Sequence, residues 1–385
     1  MQYRDSIFGT LLKAIDRRAF AGSVERHDGD RYVKNFSAWD HLVVLLYAQL
    51  GGTASLRAVE AGWNAHAHHH YHLGCGPVRR STLSDAGQRR PAAIFAETFG
   101  QLSHQADRRF KRDGAAMVRL IDSSPIELGK LCAWADWNGR TCGLKLHVVY
   151  DPATDHPRQI AITPATVNDI TLGRALPSEP GATYVFDKGY CDYAWWTRLD
   201  AAGCRFVTRS KSNVRFTVES VTAVPLEMGD GFLVLDDAIV RLAGQGRARL
   251  PIRLRRVRVR TADARVLSVI SNDLERPATA IASLYKTRWQ IELLFRWIKQ
   301  NLKIRSFLGR SEAAIRLQIL AAMIAFLLLR LAARHARSLI PPIRFAGLVR
   351  DCLFTRKSLN AIDRPPETYT PTPHSDPNQF TLAFA

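Results

Sequence analysis

The stretch YKTRWQIELLFRWIKQ, residues 285–300, decides how the rest of the chain is read. It follows Pro277, which suits the first turn of a helix, and its pattern predicts one long helix ending near residue 302. Each helical residue advances about 100°, so Tyr285, Arg288, Glu292 and Lys299 fall within an arc of roughly 60°. Leu284, Ile291, Leu294, Phe295, Ile298 and Leu302 form a separate apolar seam suited to packing on a sheet. The polar stripe carries a phenol, two cations and a carboxylate. An amphipathic helix with an Arg288–Glu292 ion pair would show the same spacing.

Two further carboxylates stand out once strands are assigned. MVRLID (117–122), GLKLHVVYD (143–151) and RQIAIT (158–163) read as consecutive strands, joined by turns at 136–139 and 151–157. A helix is expected after Asn168-Asp169, then a strand TYVFD (183–187), a helix over 192–202 and a strand RFVTRS (205–210). That order predicts an α/β fold with an RNase H-like mixed sheet. Asp122 is expected to end the first strand and Asp187 the fourth. These strands are neighbours in such a sheet, although 187 − 122 = 65 residues separate the two. Ligands of open α/β sheets sit outside strand ends, and Glu292 would add a third carboxylate from the helix. Like charges at close range raise one another's pKa, and Mg²⁺, which prefers oxygen ligands, relieves that repulsion. Two metals about 4 Å apart serve in-line phosphoryl transfer. Any one of these Asp residues alone reads as a turn or cap, as Asp151, Asp155 and Asp169 do.

Residues 213–274 are strand-like and interrupt this core as a β-rich insertion. Residues 1–113 read as helical, 114–212 as the first part of the core, 275–340 as its closing helices, and 341–385 as a Pro-rich tail that is irregular near its end. Within the helical part, Ser37 is an expected N-cap of FSAWDHLVVLLYAQL (36–50), and Gly51-Gly52 a stop. SLRAVEAGW follows, giving either a helix-turn-helix or a bundle pair.

Composition narrows the partner. With 54 Lys+Arg against 35 Asp+Glu the net charge is +19. That favours a polyanion, nucleic acid before a membrane surface. The apolar run ILAAMIAFLLL (319–329) is shorter than the roughly 20 residues of a bilayer span and is expected to be a buried core helix. Six scattered Cys without a CxxC pair suggest reduced cytoplasmic thiols.

The spacing Y-x2-R-x3-E-x6-K at Tyr285, Arg288, Glu292 and Lys299 resembles the signature of the insertion sequence four family of bacterial DDE transposases. Asp122-Ser123-Ser124 and the D-x-G-Y of Asp187, Gly189 and Tyr190 agree with it, and the gap 292 − 187 = 105 fits an inserted domain. FSAWDHLVVLLYAQL and VRRSTLSDA also resemble one branch of the family, extending the likeness over roughly residues 30–340, with Gly87 where an Asn is expected. The resemblance implies that Asp122, Asp187 and Glu292 bind two Mg²⁺ or Mn²⁺ ions. It implies that the helical residues 1–113 form a DNA-end-binding domain, with cleavage of double-stranded DNA at terminal inverted repeats, then strand transfer into target DNA. Tyr285, Arg288 and Lys299 would hold phosphates. Trp289, ahead of Trp195, Trp196 and Trp297, would support a base flipped from the stack, with core packing the favoured reading for any one of them. A homodimer on paired ends, cytoplasmic and nucleoid-associated with no membrane role, is implied too. The alternatives are a non-catalytic, domesticated DNA-binding protein and a metal-dependent nuclease without strand transfer.

Other basic groups extend the DNA expectation. In RARLPIRLRRVRVR (247–260), Arg253 and Arg255 share one strand face and Arg256, Arg258 and Arg260 the other, so a β-bulge after Arg255 would align them. They read as a phosphate-binding stripe or as a solvated, charge-blunted edge. Arg79, Arg80, Arg89 and Arg90 are candidates for gripping DNA ends. The His cluster at 66, 68, 69, 70 and 72 lacks the spacing of a zinc site and reads as a polar loop.

Overall fold

Among the described residues seven helices lead into the sheet: α1 (Ile7–Leu12), α2 (Arg17–Arg26), α3 (Ala38–Gly51), α4 (Leu56–Ala65), α5 (Ala67–Leu73), α6 (Arg80–Arg89) and α7 (Ala92–Phe110). The structure is a computed structural model that describes residues 5–110, 116–129, 132, 134–135, 139, 142–222, 226–227, 232–242, 252–304 and 306–364. Ser37 caps α3 as expected. Its hydroxyl accepts from the Asp40 amide (3.1 Å), and the Asp40 carboxylate accepts from the Ser37 amide (2.9 Å). Gly52 ends α3 in the left-handed region (φ 69°), which suits a residue without Cβ.

The His-rich run forms α5 and is not a loop. His69 and His70 are buried. His70 stacks on Trp63 at 4.5 Å and bonds the Trp63 carbonyl, while His66 and His69 stack on Phe354. Aromatic packing thus accounts for the cluster. Among the described residues no group of three His, Cys, Asp or Glu is placed to hold a metal ion.

The sheet begins with β1 (Val118–Glu127), β2 (Gly143–Asp151) and β3 (His156–Pro164), an antiparallel meander. After α8 (Asp169–Ala175), β4 (Thr183–Phe186) pairs parallel with β1. After α9 (Tyr193–Ala201), β5 (Arg205–Arg209) pairs parallel with β4. The order β3-β2-β1-β4-β5 is that of an RNase H-like sheet. Residues 136–138 of the first expected turn lie outside the described residues. One face of the sheet buries Ile121, Phe186 and Phe206 with Trp195 and Trp196 of α9. The other buries Leu120, Val148 and Val185 together with the long helices.

The insertion extends this sheet. β6 (Phe216–Thr222), β7 (Leu226–Glu227), β8 (Leu233–Leu242), β9 (Leu254–Arg260) and β10 (Val266–Ser271) continue it, with β10 antiparallel to β5. The bulge expected in β9 after Arg255 is absent. Its register with β10 is regular, and the irregularity lies on β8 between Val234 and Asp236. No realignment is needed, because Arg255 turns inward with Val257 and is buried. It bonds Asp237 at 2.8 and 2.6 Å. Residues 247–251 of the arginine run lie outside the described residues.

The long helix expected from Pro277 is two helices, α10 (Ala278–Thr287) and α11 (Trp289–Asn301), meeting at Arg288. The Thr287 hydroxyl donates to the Leu284 carbonyl (2.6 Å), and the amides of Arg288 and Ile291 make tight three-residue bonds to Tyr285 and Arg288. Such local bonds replace the regular ladder. The seam survives: Ile291, Leu294, Phe295, Ile298 and Leu302 are all buried.

α12 (Glu312–His335) matches the second long helix that the sequence pattern predicts over about 312–337, and it contains the apolar run 319–329. By length and composition it is apolar enough to cross a membrane, yet most of it is buried in the protein, packed on α3, α6 and α7. A helix apolar all round needs such a setting. Gly87 of α6 faces Ala314 of α12, so the position expected to carry an Asn for DNA is a helix–helix contact. Pro341 and Pro342 open a final helix, α13 (Pro342–Asp351). Residues 365–385 of the tail lie outside the described residues.

Candidate active site

The register of β1 on β4 ends with Ile121 beside Phe186, so the next residues on the two strands are Asp122 and Asp187. Neighbouring strands lie about 4.8 Å apart. Asp122 does not end its strand, as β1 runs on to Glu127 against β2; it marks where β1 leaves β4. Each carboxylate accepts the amide of the residue that follows it: Asp122 from Ser123 (2.8 Å) and Asp187 from Lys188 (2.7 Å).

α11 packs on β1 and brings Glu292 to the pair. Arg288 joins them, with Nη1 3.5 Å from Asp122 Oδ2 and Nη2 2.5 Å from Glu292 Oε1. Burial pushes the Asp122 carboxyl up to about 6, and the charges of Asp187 and Glu292 add to the rise, against the Ser123 amide and Arg288. Side-chain exposures of 20%, 38% and 32% for Asp122, Asp187 and Glu292 leave the cluster open to a large ligand.

Tyr285 lies beside the cluster, its ring centroid 5.8 Å from the Arg288 guanidinium carbon, and burial raises its phenol pKa. Lys299 sits further along α11, on a hollow of about 530 Å³ whose wall includes Pro125, Glu127 and Ile304. Trp289 is half exposed and pairs with Arg296, at 5.5 Å. It edges a groove of about 710 Å³ floored by Phe232, Val259 and Leu267. Trp195 and Trp196 are buried among Phe186 and Phe206, and Trp297 packs edge-on against Phe326.

Sequence reasoning missed several neighbours. Arg209 of β5 reaches Asp187 at 4.0 Å. On the opposite face of β1, the Ser123 hydroxyl donates to Asp169 (2.8 Å), which also accepts from Lys145 (2.9 Å). Asp169 therefore does more than begin a helix, and Asn168 is the residue that caps α8. The alternation of β1 was the available signal, since it sends Ser123 to the face opposite Asp122.

Of the basic candidates, Arg256 and Arg258 share Asp236 of β8, at 3.5 and 2.9 Å. Arg260 is exposed and paired in register with Leu233 and Val266. Arg253 pairs with Glu219 (3.0 Å). Arg79, Arg80 and Arg89 are exposed on α6, whereas Arg90 is buried, bonded to Asp30 and the Phe36 carbonyl.

Comparison with known proteins gives the family. A family model described as a transposase DDE domain matches residues 113–328, and a domain of unknown function matches residues 3–76. A Sinorhizobium fredii protein named as the transposase y4zB is 56% identical over 305 residues, covering 78% of this chain and 85% of that protein. A Geobacillus stearothermophilus protein named as a transposase for insertion sequence element IS5377 is 29% identical, covering 65% and 66%. One from Synechocystis, named for element IS4SA, is 26% identical, covering 65% and 71%. The fold is similar to a piggyBac transposase solved by cryo-EM in a synaptic complex with hairpin DNA. The TM-score is 0.52 at 11% identity, covering 96% of this chain and 84% of that one. The chain thus belongs to the DDE transposases and fits their insertion sequence four family.

Proposed function

We propose that this transposase cuts double-stranded DNA at the terminal inverted repeats of an insertion sequence and transfers the cut strands into target DNA, with Asp122, Asp187 and Glu292 as its catalytic carboxylates. The observation that carries the reading is the β1–β4 register, which sets Asp122 beside Asp187 within reach of α11. Three oxygen-donor side chains with mutual repulsion are of the chemistry that hard divalent ions take, although with Arg288 between Asp122 and Glu292 the three do not converge, as placed, on a position for one ion. Bound there, two Mg²⁺ or Mn²⁺ ions would supply activation of the attacking oxygen and stabilisation of the leaving one.

The side chains around the cluster do the positioning. Tyr285, Arg288 and Lys299 hold backbone phosphates. Arg209 steadies Asp187. Trp289, at the lip of its groove, offers an exposed ring to an unstacked base. Arg256, Arg258, Arg260, Arg79 and Arg80 add sequence-independent phosphate contacts. Two copies act on paired ends, beside the bacterial chromosome.

The test is Glu292→Gln, assayed with Mg²⁺ on DNA carrying the element's ends. Cleavage should be abolished with DNA binding nearly intact. Wild-type cleavage by the variant overturns the assignment. Cleavage by the unaltered protein with no joined product would instead make it a nuclease.

A further inference from the structure

A groove of about 560 Å³ lies along α11, and the proposed reaction does not use it. α11 lines it through Leu293, Leu294 and Trp297, and α12 through Phe326, Arg330 and Arg334. The turn between β2 and β3 completes the lining. There Asp155 accepts from the Tyr150 hydroxyl and pairs with Arg330. Among the lining residues, two cations one helical turn apart thus stand against a single carboxylate.

Leu293 leaves 44% of its surface exposed on this groove. Trp297 is fixed edge-on against Phe326, and its indole N–H is buried with no acceptor among the described residues. Buried donors are normally satisfied. Apolar walls, an unmet donor and an excess of positive charge suit an apolar peptide segment that carries carbonyls and a carboxylate.

The chain itself contains such a segment. Residues 365–385, outside the described residues, carry Glu367 and Asp376 and no Lys or Arg, in a protein with 54 Lys+Arg. Phe380, Leu382 and Phe384 alternate, the spacing that shares one face of an extended segment. Reach is ample. Leu359 borders a hollow with Leu331 and His335 of α12, and the described chain ends at Arg364. The 376 − 364 = 12 residues to Asp376 span up to about 40 Å, against a helix diameter of about 10 Å. DNA would set phosphates against an apolar wall, and a second copy of so basic a chain brings mostly like charge.

We propose that residues 376–384 dock in this groove of their own chain. Phe380, Leu382 and Phe384 lie on the wall of Leu293, Trp297 and Phe326, and Asp376 pairs with Arg334. The docked segment braces the helix that carries Glu292 along its Leu293 side. Nothing in this inference depends on the chemistry proposed for the carboxylates.

The test uses the full chain with Leu293→Cys, alkylated by iodoacetamide and read at residue 293 by peptide mass spectrometry. Phe380→Ser, Leu382→Ser and Phe384→Ser together should raise the labelling rate about tenfold, the factor for a site covered about 90% of the time. A synthetic peptide of residues 374–385, in excess, should restore the slow rate to that tail-altered protein. Asp376→Arg alone should speed labelling, as should Arg334→Glu alone, and the two together should slow it again. Equal rates with unaltered and altered tails overturn the proposal. So does a rate that rises on dilution of the protein with an unaltered tail, which makes a second copy the occupant. Protection that persists in the altered tail until nuclease treatment lifts it makes the occupant nucleic acid, and overturns the proposal too.

Discussion

The guanidinium of Arg288 spans Asp122 and Glu292, 3.5 Å from one carboxylate and 2.5 Å from the other. It is largely enclosed, with 18% of its side chain exposed, and its Nε is buried without a partner. A fixed cation thus offsets part of the repulsion that raises Asp122. A divalent ion would compete with it for the same oxygens. Arg288→Ala should bind Mn²⁺ more tightly than the unaltered protein in the absence of DNA, by about tenfold, as expected for about 1.4 kcal/mol of lost competition. Titration followed by electron paramagnetic resonance checks this. Equal or weaker Mn²⁺ binding would mean that Arg288 does not compete there.

Asp169 acts on the cluster through Ser123, whose amide holds Asp122. Asp169→Asn weakens the acceptor shared by Ser123 and leaves Lys145, mostly buried, without its counter-charge. The fold should lose about 1–3 kcal/mol. The Mn²⁺ concentration for half-maximal cleavage should rise several-fold, with DNA affinity unchanged. A loss of stability alone, at an unchanged metal requirement, would reduce the network to scaffolding.

Arg258 is exposed and Arg256 is partly buried, and both share Asp236. An exposed ion pair such as that of Arg258 is worth about 0–1 kcal/mol, so a phosphate can take over that arginine at little cost, and Arg256 beside it adds to the same charge. The double variant Arg256→Ala and Arg258→Ala should keep its melting temperature and flatten the slope of log K against log salt by about one to two. An unchanged slope assigns both arginines to internal pairing only.

Acid should loosen the N-terminal helices through His41. It is 1% exposed, lies between the rings of Phe36 and Phe95, and burial, helped by Arg90, lowers its pKa to about 3. The unfolded chain takes up this proton below its ordinary pKa of 6.5, while the folded chain refuses it down to about 3. Stability is therefore fully present above pH 6.5 and falls with pH across that window, by about 1.4 kcal/mol per unit for this group. Urea denaturation at several pH values should show a shallower acid limb for His41→Leu. An identical limb would place the sensitivity elsewhere.

The strands of the core and the α3 caps were legible because apolar alternation, Ser37 and Gly52 act locally. A family signature singled out Asp122, Asp187 and Glu292, and in the fold Arg288 pairs with the first and the last of them. What stayed hidden depends on groups distant in sequence. The break at Arg288 arises from the Thr287 hydroxyl, which a helical wheel does not show. Arg255 seemed out of phase because its partner, Asp237, lies on another strand. The His run seemed a loop because Phe354, far along the chain, completes its packing. Gly87 seemed a missing DNA contact because Ala314, which it faces, belongs to α12.

The pairing of β10 with β5 has a consequence for how the protein is made. Arg209, which reaches Asp187, is matched in register with Val269. A chain still on the ribosome can pair β1 with β4 early, but β5 gains its second neighbour only after the insertion has been synthesised, and Glu292 follows later still. Non-local pairings of this kind form slowly. Glu292 therefore joins Asp122 and Asp187 last, and on the proposed catalytic assignment a prematurely ended chain lacks the third carboxylate and should leave DNA uncut.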